Sequence, residues 1–182
     1  MKMKCLAISP VWSWAIAEGI KTIENRKTTT NHRGPLAIYS TFNDAVDHGM
    51  GSRRVLADLG YDVPEILPRG KVVCVVDVAN SVAETQIDWM LDEYPDLAGN
   101  FATGPHCWVF RNAKRCEPFA ARGMPGIFEV DFPQCTCSYF GGPCDGETER
   151  RDLPPNEGEK VYRLVENSYV TYEWRSRRFE AV

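Results

Sequence analysis

The sequence predicts an α+β fold, in which short strands are interleaved with a few helices. Residues 71–78 are a continuous run rich in β-branched side chains, which is typical of a buried strand. Residues 9–19 instead place apolar side chains at helical spacing. The length of 182 residues suits one domain with an extension, and we find no internal repeat.

We expect the first helix to begin at Ser9-Pro10. Serine can accept a hydrogen bond from an unpaired N–H, and the fixed φ of proline suits the first turn. Trp12, Ala15 and Ile16 follow at helical spacing. Gly19 is then placed to end the helix in the left-handed conformation.

The run Gly19-Ile-Lys-Thr-Ile-Glu-Asn-Arg26 comes next and is predicted to be extended from residue 20. In a strand, Thr22, Glu24 and Arg26 would share one face. Lys21, Ile23 and Asn25 would share the other, although Lys21 lies so close to the helix end that its direction stays open. The run is either a solvated polar strand or a set of polar groups presented to one ligand.

The remaining elements follow from short local patterns. Strands are predicted at 36–40, 71–78, 108–111, 127–132, 161–165 and 169–174. A helix is expected near 53–59, followed by a connection that contains prolines. Ser81-x-x-Glu84 resembles a capping box and predicts a helix over 81–94 that Pro95 ends. That helix is acidic and carries no basic residue, so it is a candidate surface for a protein partner.

Several blocks together resemble the ASCH domain, a family of the PUA-like superfamily. They are Cys5-Leu-Ala-Ile8, Trp12 seven residues before Gly19, G-x-K-T-x-E-x-R at 19–26, Arg33-Gly-Pro-Leu36, and the segments 70–77, 107–110 and 126–130. The likeness covers roughly residues 4–132. It departs at the helix start, where many relatives carry Gln-Pro before the tryptophan and this chain has Pro10-Val11.

The resemblance implies a PUA-like small mixed β-barrel flanked by short helices. We therefore expect an ASCH domain at 1–132 and a C-terminal extension at 133–182. The extension is first rich in Cys, Gly and Pro and then predicts a two-stranded β-hairpin around 166–168.

The net charge of −4 provides no global positive field, so any phosphate binding must use a local patch. The seven cysteines are an odd number scattered through predicted strands, which favours reduced, buried thiols and a cytoplasmic protein. No apolar run is long enough to span a membrane. A signal peptide at the N-terminus is disfavoured because Ser9, Pro10 and Ser13 interrupt its apolar stretch.

The spacing Cys135-x-Cys137-x6-Cys144 raises the question of zinc, with Cys116 or Asp145 as a fourth ligand. This spacing is uncommon for zinc, and the only imidazoles are His32, His48 and His106. We therefore predict no metal and no cofactor.

The resemblance implies a ligand cleft beside the barrel for RNA or a modified nucleobase. Trp12 and Trp108 are candidates to stack a base, or else core residues. Lys21, Glu24 and Arg26 are candidates to contact the base edge. Basic residues that are candidates for phosphate contacts, or else form a solvated face, are His32, Arg33, Arg111, Lys114, Arg115 and Arg122.

Two main functions compete, beside a structural or protein-interaction role. One is a binding module for RNA or a modified nucleotide. The other is a hydrolase, since some ASCH relatives resemble amidohydrolases of N4-acetylcytidine, in which a lysine activates a threonine three residues on and a distant glutamate acts as acid. Lys21 matches that lysine, but Glu24 occupies the threonine position and can act only as a general base. Thr22 is nearby but is predicted to face away from Lys21.

Overall fold

The structure is a computed structural model. It describes residues 1–42, 51–93, 101–133, 135–140, 142–151, 158–165, 168–175 and 178–181. The chain divides into two compact units. One comprises Lys2–Val130, and the other comprises Met1 with residues 131–182. The division into domains at 1–132 and 133–182 stays a prediction, because compactness alone does not show that either part folds independently.

The first unit contains a mixed sheet and three short α-helices within the described ranges. Its elements are β1 (Lys2–Ile8), α1 (Pro10–Ala17), β2 (Ile23–Arg26), β3 (Gly34–Ser40), α2 (Gly51–Asp58), β4 (Lys71–Ala83), a 3-10 turn (Glu84–Gln86), α3 (Ile87–Glu93), β5 (His106–Ala120) and β6 (Ile127–Asp131). The strand order is β2-β5-β4-β3-β1-β6, with β1 and β3 parallel and β2–β5, β5–β4 and β4–β3 antiparallel. The α+β class is therefore confirmed, while the PUA-like barrel stays a prediction.

The core of this unit lies between α1 and the central strands. Apolar side chains from β1, β3, β4 and β5 form the main cluster, and Ile16 of α1 packs into it. The predicted β-branched run supplies Val76 and Val78, which are both almost completely buried. Irregularities at three points of the β4–β5 pairing bend these strands. At one of them, Asn112 has a φ of 51°, a left-handed conformation that few residues other than glycine adopt.

The first helix matches its prediction, apart from the role of Ser9. Pro10 occupies the first turn, and Gly19 has a φ of 74°. The N–H of Gly19 donates to Ile16 (3.0 Å) and that of Ile20 to Ala15 (2.9 Å), which is a Schellman ending. Ser9 lies at the N-cap but makes no side-chain capping bond, so that part of the prediction is wrong.

The predicted helix over 81–94 is wrong at its start. β4 continues to Ala83, so Ser81 and Val82 are strand residues that pair with Trp108 and Cys107 of β5. The Ser81 hydroxyl bonds the Thr29 hydroxyl at 2.9 Å instead of capping a helix. Helical structure begins only at residue 84, and Tyr94 and Pro95 lie outside the described residues.

The fifth strand is longer than predicted. The sequence predicts a strand at 108–111, whereas β5 runs from His106 to Ala120. Its second half carries the alternating exposed side chains of a strand with one solvated face, and it pairs with β4 as far as Lys71 and Ala120.

The second unit contains β7 (Cys135–Phe140), β8 (Thr148–Arg151), β9 (Lys160–Val165), β10 (Ser168–Arg175) and β11 (Arg178–Ala181), in the order β8-β7-β11-β10-β9. Its small core contains Tyr139, Tyr172 and Cys144. β9 and β10 pair antiparallel. Residues 166 and 167, which connect them, lie outside the described residues, so the hairpin turn stays a prediction.

Candidate functional site

The end of α1 places Lys21 inside the first unit. After the Schellman ending, the N–H of Lys21 donates to the Ala15 carbonyl at 3.1 Å, so the chain turns back against the helix before β2 starts. β2 then pairs with β5 through Ile23 and Val109. Lys21 therefore precedes the strand, and the strand alternation that predicted Lys21 and Glu24 on opposite faces does not apply to it.

The Lys21 ammonium is held by oxygens and aromatic rings. Its side chain is 4% exposed. The Nζ atom donates to the Ile23 carbonyl and lies 3.4 Å from Glu24 Oε2. It lies 5.5 Å from the Trp12 ring centroid and 5.4 Å from that of Phe101, within the range of cation–π attraction.

Burial lowers the pKa of Lys21, because removal from water disfavours the charged form. Glu24 opposes this shift through its charge and its hydrogen bond, and the nearby Arg26 adds to it. The net direction is downward, as expected for a lysine that has almost no contact with solvent.

Glu24 joins the two cations of the run. Its Oε1 atom lies 3.3 Å from Arg26 Nε, and its Oε2 atom faces Lys21. The other end of the Arg26 guanidinium donates from Nη2 to the Ala7 carbonyl at 2.8 Å. Arg26 Nε is buried and has no well-aligned hydrogen-bond partner within the described residues, so its contact with Glu24 is an ion pair of poor geometry.

Asn25 holds a distant loop over this cluster, which the sequence did not predict. Its Nδ2 donates to the Phe101 carbonyl (2.7 Å) and to the Thr103 hydroxyl (3.1 Å). Its Oδ1 accepts from the N–H groups of Thr103 (3.0 Å) and Gly104 (3.1 Å). These bonds set Phe101 against Lys21. No local pattern identifies a contact across this distance in sequence.

The two tryptophans have different positions. Trp108 is 5% exposed in the main core, and its indole N–H donates to the Thr28 carbonyl at 2.9 Å. This burial favours the interpretation of Trp108 as a core residue over that of a stacking platform, because no ring face is open. Trp12 is half-buried and packs edge-on against Phe101, with ring centroids 5.8 Å apart.

A cavity of about 230 Å³ lies beside the same run. Its polar lining residues include Thr22 of the run and Arg111 and Asn112 of β5. The further lining residues are Ile16, Gly19, Lys21, Val76, Phe110 and Ala113. The strained Asn112 donates from Nδ2 to Asp77 Oδ2 at 2.8 Å, which fixes its side chain at the cavity wall.

His32 and Arg33 hold the loop between β2 and β3. Arg33 is exposed and donates to the carbonyls of Thr30 and His32, both at 2.9 Å, and to Asn80 Oδ1 at 3.1 Å. A His32 ring nitrogen bonds the Pro35 carbonyl at 2.9 Å. Both side chains therefore make structural bonds within the loop, and a phosphate contact by either stays a prediction.

The predicted basic patch of β5 is divided among several places. Arg111 lines the cavity beside Thr22. Arg115 pairs with Glu18 at the end of α1, and Lys114 lies opposite Val75 of β4. Arg122 lies at the other end of β5. The strand therefore does not gather these cations into one site.

Within the described residues, no three His, Cys, Asp or Glu side chains are grouped to hold a metal. The side chains of Cys135 and Cys137 lie outside that part, so their role stays open. Burial raises the pKa of Cys5 and of Cys116 to about 12, as expected for thiols that stay protonated. No described helix is both long and apolar enough to cross a bilayer.

Comparison with known proteins gives one family. The ASCH domain model matches residues 6–120. Human activating signal cointegrator 1 is 25% identical over 132 residues, and the mouse protein 24%. The match covers 70% of this chain but spans 22% of the length of either relative. Among solved structures, the crystal structure of ASCH from Zymomonas mobilis matches with a TM-score of 0.43 and 11% identity, over 71% of this chain and 87% of that chain.

Proposed function

Because the chain belongs to the ASCH domain family, we propose that it is a binding module for RNA or for a modified nucleotide. The cavity beside the 19–26 run carries this proposal, since it combines apolar walls with hydrogen-bonding side chains. Its volume of about 230 Å³ lies below the range of about 300–1,000 Å³ for drug-sized ligands, so it suits a single base.

Each side of the cavity has a separate task in this proposal. Ile16, Val76 and Phe110 are at most 2% exposed, so they close the apolar floor of the cavity and offer a base only the small apolar surface that opens into it. Thr22 and Asn112 offer hydrogen bonds to its edge, which is how proteins recognise unstacked bases in RNA. Arg111 supplies a positive charge for the adjoining phosphate.

The Lys21 cluster supports this cavity from inside. Lys21 is too buried to contact a base edge with its ammonium group. Instead, its bonds to Ile23 and Glu24 fix the path of the chain through Thr22, which lines the cavity. In the proposed function Lys21 is therefore a positioning residue, while Arg26, with 28% of its side chain exposed, can still meet a ligand.

Two substitutions test the cavity. Asn112→Gly removes the side chain at a position whose φ of 51° glycine adopts without strain, so folding should persist. We expect the loss of one hydrogen bond, about 0.5–1.5 kcal/mol or roughly 2- to 12-fold in affinity for single-stranded RNA by fluorescence anisotropy. Arg111→Gln should lower the affinity for RNA. It should also reduce the slope of log affinity against log salt concentration by about one, as expected for the loss of one phosphate contact.

Arg54→Ala is the matched control for charge, because Arg54 is 83% exposed on α2 and pairs only loosely with Asp58. It should leave the affinity and its salt dependence unchanged. If Asn112→Gly and Arg111→Gln bind RNA as the wild type does, the cavity is not the binding site.

A second function, hydrolysis of an acylated nucleoside such as N4-acetylcytidine, is favoured by the lowered pKa of Lys21 beside the Glu24 carboxylate. In this case Lys21 and Glu24 act as acid and base towards water, with Thr22 as an auxiliary hydroxyl. The test is incubation with N4-acetylcytidine between about pH 6 and 9. Release of acetate that Lys21→Met abolishes would support the hydrolase, and no release at any pH would exclude it.

A further inference from the structure

An exposed aromatic ring lies at the far end of the first unit from the cavity. Phe42 is 67% exposed and follows β3. Its ring lies against the backbone of Gly70, where an added Cβ would come within 2.1 Å of the ring. Gly70 has a φ of 65°, so both space and backbone conformation favour glycine there. One ring face therefore rests on backbone while much of the side chain faces solvent.

The ring borders an open cleft of about 610 Å³. Small residues, Ala120, Ala121 and Gly123, form one side of it. Gly123 covers the buried Tyr39, since an added Cβ would lie 2.4 Å from that ring. A flat group can therefore approach Phe42 over small residues, with Arg122 as the one long side chain among the described lining residues of this side.

Three basic residues lie in the segments next to the ring. Arg122 lines the cleft and is exposed. Arg69 donates from Nη1 to the Phe42 carbonyl at 2.9 Å, and the exposed Lys71 follows Gly70 and pairs with Ala120. No described residue that lines the cleft is acidic. The charge thus favours an anionic ligand that also offers a flat apolar face.

We propose that Phe42 is a stacking platform for one base of a single-stranded RNA, with Arg69, Lys71 and Arg122 facing its phosphates. Base–aromatic stacking beside cations is the general means by which proteins bind single strands. This inference rests on the proposed function for its ligand class but concerns a separate contact. The cavity lies at Asn112 and the platform at Ala120, roughly 25 Å apart along β5 at about 3.3 Å per residue.

The experiment measures affinity for oligouridine of about 12 nucleotides and for uridine monophosphate. Phe42→Ala should weaken binding of the oligonucleotide at least about fivefold and leave mononucleotide binding unchanged. Phe42→Trp should restore the affinity, and its added fluorescence should be quenched by RNA. Ile66→Ala is the matched control, since Ile66 is an apolar side chain that is 88% exposed and lines neither site.

The outcomes separate this inference from the proposed function. If Phe42→Ala binds the oligonucleotide as Ile66→Ala does, the platform is refuted while the cavity stands. If Phe42→Ala weakens binding and Asn112→Gly does not, the platform stands without the cavity. If the wild type binds no RNA, or if Phe42→Ala alters only binding to phosphatidylserine vesicles, the platform is refuted.

Discussion

Asn25 is predicted to stabilise the first unit by fastening the loop at 101–104, and Asn25→Ala tests this. The substitution removes two donated and two accepted bonds to that loop. Thr103 is exposed, so water can replace the bonds to it. The carbonyl of Phe101 and the N–H of Gly104 belong to buried residues and lose their partner.

The magnitude follows from these two buried groups. A lost hydrogen bond costs about 0.5–1.5 kcal/mol, and a buried group left unpaired about 1–3 kcal/mol. We therefore expect Asn25→Ala to lower the free energy of unfolding by about 2–6 kcal/mol, measured by urea denaturation with tryptophan fluorescence. Thr103→Val, which removes only the bond between side chains, should cost less than about 1 kcal/mol.

A second measurement follows from the position of Phe101 against Lys21. Loosening the loop should admit water to the ammonium, so that an acylating reagent modifies Lys21 faster in Asn25→Ala than in the wild type, as followed by mass spectrometry. Equal unfolding free energies for Asn25→Ala and Thr103→Val, with unchanged modification of Lys21, would refute the argument that Asn25 fastens this loop.

Three further predictions concern packing and titration. Gly104→Ala should cost about 1–3 kcal/mol in urea denaturation, because its Cβ would lie 2.7 Å from Asn25 Cβ, and an unchanged midpoint would contradict this contact. The pKa of Lys21 is lower in the folded chain than its ordinary value of 10.5, so the unfolded chain binds more protons as the pH approaches 10.5. The free energy of unfolding of the wild type should therefore rise with pH in this range, and Lys21→Met should abolish that rise. Burial raises the pKa of Tyr139 from 10 to about 12. The contribution of the protonated Tyr139 to the free energy of unfolding is therefore full below pH 10 and is lost as the pH rises towards 12. Tyr139→Phe should remove that alkaline slope, together with the hydrogen bond to Glu149, and an identical slope in both proteins would show that another group titrates.

Local chemistry predicted the elements whose ends are set by local bonds. Pro10 and Gly19 mark α1 because a fixed φ and a left-handed residue act within one turn. The side chain of Ser9 was wrongly expected to cap the helix. Residue type gives a preference for the N-cap, but the rotamer also depends on what packs nearby.

Tertiary pairing decided the elements that the sequence misjudged. Ser81 and Glu84 have the spacing of a capping box, yet Ser81 continues β4 because Trp108 of β5 lies opposite and supplies its backbone partner. A pairing between strands of distant sequence overrides a weak local preference. The same pairing extends β5 well past the predicted end at Arg111.

The sequence placed Lys21, Glu24 and Arg26 in one run but did not predict their geometry, and their role in binding stays a prediction. Lys21, Glu24 and Arg26 do converge, as a ligand-binding run requires. The sequence did not show that the Lys21 ammonium points inward, because alternation of faces holds only within the strand. Nor did it show Phe101, whose place depends on Asn25 and on contacts formed only in the folded chain.

Glu24 explains why these two cations can coexist in a site with little solvent. Two cations near one another, with 4% and 28% of their side chains exposed, would repel strongly without a counter-charge. Glu24 contacts both, so a hydroxyl at this position would leave Lys21 and Arg26 uncompensated. The family resemblance places a distant glutamate and a threonine in the hydrolytic relatives, whereas here the carboxylate lies in β2 itself. The residue that replaces the acyl-accepting hydroxyl is thus also the one that holds the cluster together, which favours a fixed support for the proposed cavity over a reactive centre.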